Sequence, residues 1–431
     1  MTSPVPTRPT SPPADGPSGD HDPPGASGIN RRRLLAGGAA AAGLAGAAGA
    51  ASWSAAAGRR RVSAFAAETI AFYGAHQAGI ETPPQSHAVF VGLDIRSDTQ
   101  RSPRDALEAV LKLWTTDAAR LTQGIPALAD TEPELALRPA RLTVTVGLGP
   151  AVFERVGLGR LRPPSARSLP VMTVDRLEPR WGGTDLLLQI CADDPITVAH
   201  ATRVLVKNVR TLAVERWRQA GFRSARNADH DGVTMRNLMG QVDGTVNPVA
   251  DTPDFSEVVW DNAQAQPWMA GGTLMVLRRI RMNLDKWDEL DRASKELAIG
   301  RRLDNGAPLT GQHENDPVDV TVRRDGIPVI PPNAHVALAH PFQPGERFLR
   351  RPYNFDDPPT AGETSDSGLL FAAYQRDIDV QFLPVLRRLA EADAMNRWLT
   401  TIGSAVYVIP PGVQTGQYLG SQLLDDRDRT R

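Results

Sequence analysis

Cysteine is all but missing from this sequence of 431 residues: Cys191 stands alone, so no disulfide can form within the chain. No Cys/His spacing of a metal cluster occurs either. Cys191 ends the apolar run Leu186-Leu187-Leu188-Gln189-Ile190, which reads as a buried strand, so its expected place is the core. Lysine is nearly as scarce. Lys112, Lys207, Lys286 and Lys295 are the whole set, and arginine supplies the rest of the 48 basic residues. Against 49 acidic residues this leaves a formal charge of −1, without the basic excess or stripe of a nucleic-acid binder. Repeats are lacking too: no unit of roughly 20–50 residues recurs, which excludes solenoids and propellers. The length allows two domains of ordinary size behind an N-terminal leader.

A strongly apolar spanning run is also lacking. Residues 1–28 are rich in Pro, Ser, Gly and Asp and read as a disordered extension. Within 29–57, Arg31-Arg32-Arg33 precede Leu34-Leu35 and a long Ala/Gly stretch ending in Ala55-Ala56-Ala57. Charged region, apolar region and small residues together form a signal peptide, and the arginine pair makes it the twin-arginine kind. The alternative is an uncleaved membrane anchor. Leucine occurs in the stretch only at 34, 35 and 44, and Ala and Gly gain little in hydrocarbon, which favours cleavage. Twin-arginine export carries folded proteins, commonly loaded with a cofactor in the cytoplasm. The leader therefore points to a bound cofactor, to the twin-arginine translocase as a transient partner, and to a periplasmic, cell-envelope or extracellular destination.

The remainder divides into 63–250 and 251–424, with the junction in a Gly/Pro/Asp-rich segment near 240–268. In the first part the pattern predicts strands at His87–Leu93, Leu142–Gly147 and Asp185–Cys191, and helices at Asp105–Ala118 and about Ile196–Arg218. In the second it predicts strands at Gly272–Arg279, His335–Ala339, Leu369–Tyr374 and Val406–Pro410, and a helix over about Val380–Asp393. A strand–helix–strand–strand–helix–strand order, twice, is an α+β fold of two ferredoxin-like domains.

The segment Asn237-Leu238-Met239-Gly240-Gln241-Val242-Asp243-Gly244-Thr245-Val246-Asn247-Pro248 can be read as a turn capped by Asp243. It also resembles the Gly-x-x-Asp-Gly motif of the dye-decolourising peroxidases. Further resemblances follow in family order: Phe72-Tyr73-Gly74-Ala75-His76-Gln77-Ala78-Gly79-Ile80, Gly306-Ala307-Pro308-Leu309, Glu314-Asn315-Asp316-Pro317, Asn333-Ala334-His335-Val336, Phe348-Leu349-Arg350-Arg351-Pro352-Tyr353-Asn354, Gly368-Leu369-Leu370-Phe371, Tyr374-Gln375-Arg376-Asp377 and Tyr418-Leu419-Gly420-Ser421. They cover roughly 70–423, and the chain looks like the exported members also described as deferrochelatases.

The resemblance implies two ferredoxin-like domains in a dimeric α+β barrel-type fold, with haem b mainly in the second. It implies hydrogen peroxide as oxidant and bulky aromatic or dye-like reductants as donors. A haem-handling role in iron uptake, beside an iron-uptake permease, is the alternative, and a homo-oligomer is compatible with both. Haem iron needs one axial ligand and an open opposite face. Of eight histidines, His313, His335 and His340 fall in the second domain, and the family pattern selects His335, with His340 in reserve. Asp243 corresponds to the distal proton carrier and Arg350 to the distal arginine, with Arg351 the alternative. Gly244, Thr245, Val246, His340, Pro341 and Phe342 are expected to touch haem. Where the family often carries a propionate-binding arginine, two residues past the ligand, this chain has Ala337. Asp393 and Asp377 are both candidates for the carboxylate behind the ligand. Trp398, Tyr374 and Tyr353 are candidate electron relays, or simple core residues.

The leader reading is tested by export. Lysine at both Arg32 and Arg33 is expected to retain the protein in the cytoplasm, as followed by cell fractionation. Normal export of that double variant would point to a different route.

Overall fold

A computed structural model describes residues 64–425, leaving out Thr99, Asp231, Ala265, Thr360 and Ala361. The expected extension and signal peptide lie outside the described residues.

Strand β1, His87–Ile95, places Ala88 and Phe90 on one face and Val89 and Val91 on the other. Helix α1, Pro103–Leu121, starts where the Ser102 hydroxyl accepts from the Asp105 N–H at 3.1 Å, with a proline in its first turn. Strands β2, Thr143–Leu148, and β3, Leu186–Ala192, are buried at every position. Helix α2, Pro195–Val209, is capped by Asp194, and β4, Ala213–Phe222, completes the half. The sequence pattern carries the helix on to about Arg218, which the structure corrects. From Ala213 buried positions recur at every second residue over much of the segment, a strand period that overrides the helix-compatible Glu215 and Arg216.

The second half comprises β5, Thr273–Met282; helix α3, Arg292–Ile299; helix α4, His335–Ala339; β6, Tyr353–Asp357; β7, Asp366–Gln375; helix α5, Leu383–Ala392; and β8, Leu399–Ile409. Here a second correction is needed. The strand expected at His335–Ala339 is the one-turn helix α4, and the place of the half's second strand belongs to β6. β7 already pairs with β5 on one side and β6 on the other, so 335–339 has no edge to join.

Each half has the ferredoxin-like order, β2-β3-β1-β4 and β6-β7-β5-β8. β8 meets β2 at Val408–Leu148 and β4 meets β6 at Phe222–Asn354, so the eight strands close into one antiparallel barrel. The interior holds Phe90, Leu187, Cys191, Tyr353, Tyr374 and Tyr407, which places Cys191 in the core as expected. Outside the first half, α1 and α2 pack on the opposite strand faces around Trp114, whose indole donates to the Leu205 carbonyl at 3.0 Å. Outside the second half a space separates α5 from the strands. No helix among the described residues is long and apolar enough to cross a membrane.

Gly368 on β7 sets the closeness of β5 and β6. A Cβ there would fall 2.1 Å from the Ile280 carbonyl oxygen and 2.5 Å from the Phe355 ring. Gly368→Ala must push backbone apart, so the expected loss is about 1–3 kcal/mol, seen as a lowered thermal midpoint in calorimetry. An unchanged midpoint would show that the sheet yields more easily than its geometry suggests.

Candidate active site

The space left outside the second half is a cavity of about 630 Å³, within the usual range for a small-molecule or cofactor site. Ile280 and Met282 of β5, Leu369 and Phe371 of β7 and Leu399 of β8 form one wall, while Val385, Leu386 and Leu389 of α5 face it. Both walls are apolar because alternate strand residues and one helix stripe point inward. Among the polar groups that reach it are those of α4 and of the loop around Asp243.

His335 opens α4, and about a third of its side chain remains accessible on the cavity wall. Its Nδ1 hydrogen-bonds Asp393 Oδ2 at 2.6 Å, and this carboxylate is almost wholly buried. Asp393 Oδ1 accepts from the Met395 N–H at 2.9 Å, so the carboxylate is itself held. Nε2 is thereby left for the cavity. Burial disfavours the imidazolium, but the Asp393 carboxylate outweighs burial, with Asp243 adding to it and Arg350 opposing, so the pKa lies above the ordinary histidine value. Of the two carboxylates left open by the sequence, Asp393 is the partner. Asp377 instead caps the turn Ile378–Phe382, accepting from the Asp379 N–H.

Asp243 also lines the cavity. Arg350 Nη1 donates to its Oδ1 at 3.0 Å, and Oδ2 has no protein partner among the described residues. The loop is held by its own bonds: Asn237 Oδ1 accepts from the Met239 N–H, and the Asp243 N–H donates to the Met235 carbonyl. Gly244 has φ +135°, a conformation that side chains rarely adopt. Thr245 donates its hydroxyl to Glu314 Oε1 at 2.8 Å, and Thr234 donates to the same oxygen at 2.6 Å. Asn247 then clamps the backbone of Arg350, donating from Nδ2 to its carbonyl at 2.7 Å and accepting its N–H at 2.9 Å. Arg351, the alternative arginine, points into the barrel, where it is buried and donates to the Thr82 carbonyl and Gln85 Oε1.

Gly244, Thr245, Val246, His340 and Pro341 all line the cavity, and His340 is exposed at its edge. The side chain of Phe342 is not part of the lining: it is 58% exposed, with the Arg388 guanidinium 4.0 Å from its ring centroid. His313 stands on the surface outside the cavity. Among the relay candidates, Tyr353 and Tyr374 are sealed in the barrel, whereas Trp398 is partly exposed and packs edge-to-face on buried Trp287 at 5.2 Å. Sequence reasoning missed the structural parts of Asn247 and Glu314. Asn247 lies within the quoted motif, but its partner is 103 positions away.

The arrangement fits a flat, mostly apolar cofactor. One imidazole braced by a carboxylate stands on the wall, and a carboxylate–guanidinium pair interacts with it electrostatically. Comparisons with known proteins agree. The Dyp-type peroxidase N-terminal family model matches residues 77–223, and its C-terminal counterpart matches 234–414. A dye-decolorizing peroxidase of Thermobifida fusca is 40% identical over 85% of this chain and 87% of its own. A deferrochelatase of Escherichia coli K12 is 34% identical over 92% and 98%. The crystal structure of a DyP-type peroxidase from Cellulomonas bogoriensis superposes with a TM-score of 0.80 at 49% identity, covering 84% of this chain and 99% of that one.

A metal needs the neutral imidazole, so were His335 the haem ligand, protons would compete for it. Its raised pKa brings that competition in at higher pH than for an ordinary histidine, and haem uptake by haem-free protein is expected to weaken as pH falls through that value. Asp393→Asn removes the largest raising influence. It is expected to move the onset to lower pH while cutting overall haem affinity by about 10–100-fold, both read by Soret titration. The same onset in both proteins would separate Asp393 from the ligand.

Proposed function

This chain belongs to the Dyp-type peroxidases, and from that premise we propose the assignment of its residues to the reaction. The protein is a haem peroxidase that uses hydrogen peroxide to oxidise bulky aromatic or dye-like donors. The observation that carries the residue assignment is the Asp243–Arg350 pair, sharing one cavity with His335 and electrostatically coupled to it.

His335 would hold the haem iron through Nε2, with Asp393 fixing the tautomer and orientation of its ring. Haem supplies a redox-active iron at which peroxide is reduced and donors are oxidised. Asp243 moves the proton. Its free Oδ2 takes a proton from one oxygen of hydrogen peroxide and returns it to the other as the O–O bond breaks, a transfer typically worth ~10²–10⁴ in rate. Arg350 neither gives nor takes a proton. Its fixed charge stabilises the negative charge that grows on the departing oxygen, and Asn247 keeps it in place. We assign the leader to twin-arginine export, which fits a chain that folds around its cofactor before transport.

A haem-handling role in iron uptake is the second reading, favoured by the relative named deferrochelatase. Peroxide kinetics separate the two. With haem occupancy matched by its Soret band, Asp243→Ala and Arg350→Leu are each expected to slow the peroxide reaction by at least about 100-fold in stopped flow. The double variant is expected to lose less than the product of the two, because the groups act on one step. Wild-type rates in both single variants would overturn the assignment and favour haem handling.

A further inference from the structure

The cavity wall carries four arginines, Arg278, Arg301, Arg347 and Arg350. Three are matched by carboxylates: Arg278 by Asp175 at 2.5 Å, Arg347 by both oxygens of Asp254 at 2.6 and 2.7 Å, and Arg350 by Asp243 at 3.0 Å. Arg301 differs. It has no carboxylate within 4.0 Å among the described residues, and only its Nη1 is engaged, donating to the carbonyls of Gly306 at 2.7 Å and Glu314 at 2.9 Å. Its Nε and Nη2 hydrogens have no protein partner among the described residues.

Its surroundings make this costly. Burial lowers the pKa of Arg301, the neighbouring positive charge of Arg350 lowers it further, and Glu314 opposes them. Glu314 Oε1 is occupied by the two threonine hydroxyls. Arginine nonetheless stays charged, so a half-buried cation on the cavity wall lacks a close counter-ion. Its position is fixed. Gly300 ends α3 in the left-handed conformation, φ +84°, and packs against Val336 of α4, which brings Arg301 beside the helix that starts with His335. The two carbonyls then hold one end of the guanidinium and leave the other for a ligand.

We propose that Arg301 is the anchor for a haem propionate, its free N–H groups gripping the carboxylate as an arginine fork does. This rests on the haem reading above. It identifies the missing counter-ion as part of the cofactor, so the cavity gains a matched charge when haem enters. The carboxylate end of haem would then lie toward Arg301.

The test measures cofactor release rather than turnover. Haem loss to an excess of apomyoglobin is followed for wild type, Arg301→Lys and Arg301→Leu. Each is loaded either with haem b or with its dimethyl ester, which lacks both carboxylate charges. Arg301→Leu is expected to speed loss of haem b roughly 10–100-fold, as for removal of a hydrogen-bonded charge, with Arg301→Lys between it and wild type. Esterification is expected to speed release from wild type, and this penalty is expected to shrink in Arg301→Leu by the factor the substitution itself costs. An ester penalty of equal size in wild type and Arg301→Leu would overturn the proposal, because a structural role for Arg301 would not depend on the carboxylates. Should Arg301→Leu fail to fold, the same comparison with Arg301→Lys decides. Failure of the haem reading looks different: wild type would then show no Soret band at all.

Discussion

The Asp243–Arg350 side of this cavity depends on one reciprocal pair of hydrogen bonds, between the side-chain amide of Asn247 and the backbone of Arg350. The loop bearing Asp243 precedes β5, whereas Arg350 lies on a two-residue strand that pairs with Ala373 and Tyr374 of β7. Nothing in the local conformation of either segment would bring carboxylate and guanidinium to 3.0 Å. An amide that both donates and accepts ties one backbone to the other without using either reactive side chain. The charges are then free to face the cavity. A carboxylate held in this way can present Oδ2 while Oδ1 is engaged, and it needs little reorganisation when a reactant arrives.

The polar group contributed by α4 follows a similar economy. His335 lies on a helix of only five residues, too short to be rigid alone. It is fixed from behind by Asp393, which is fixed in turn by the N–H of Met395. Acid and base partners are thus layered, with the buried carboxylate supporting the ring that faces the cavity. The cavity that His335 shares with the Asp243–Arg350 pair has apolar strand residues on one wall, which lowers the local dielectric and strengthens the interactions these charges make.

Much of this was legible in the sequence, and what was not has physical reasons. Asp243, Arg350 and His335 could be singled out because they lie in recognisable motifs, and the structure brings all three to one cavity. The doubled strand and helix order also held, because apolar alternation in His87–Leu93 or Leu369–Tyr374 reflects a buried sheet. His335–Ala339 misleads because five small or alternating residues satisfy either period, and only the occupied edges of β7 exclude a strand. Asp393 could not be distinguished from Asp377, since both lie close in sequence to α5 and only the path of the chain decides which reaches the ring. Arg301 gave no signal in a chain where arginine is the common cation. Its importance comes from lacking what the other lining arginines have.

The alternation of Arg350 and Arg351 makes the chemistry a matter of parity. Adjacent residues of extended chain face opposite sides, so Arg350, which ends the short strand, serves the cavity and Arg351, which follows it, the barrel interior. A single-residue insertion between Asn247's clamp and the pairing of Tyr353 would exchange them. A guanidinium would still face each side, yet the one in the cavity would be Arg351, whose backbone lacks the Asn247 clamp, and the one in the barrel would be Arg350. Length changes by two residues preserve the facing and changes by one do not. The spacing of this short stretch is therefore constrained by even and odd counting as firmly as by the identity of its residues.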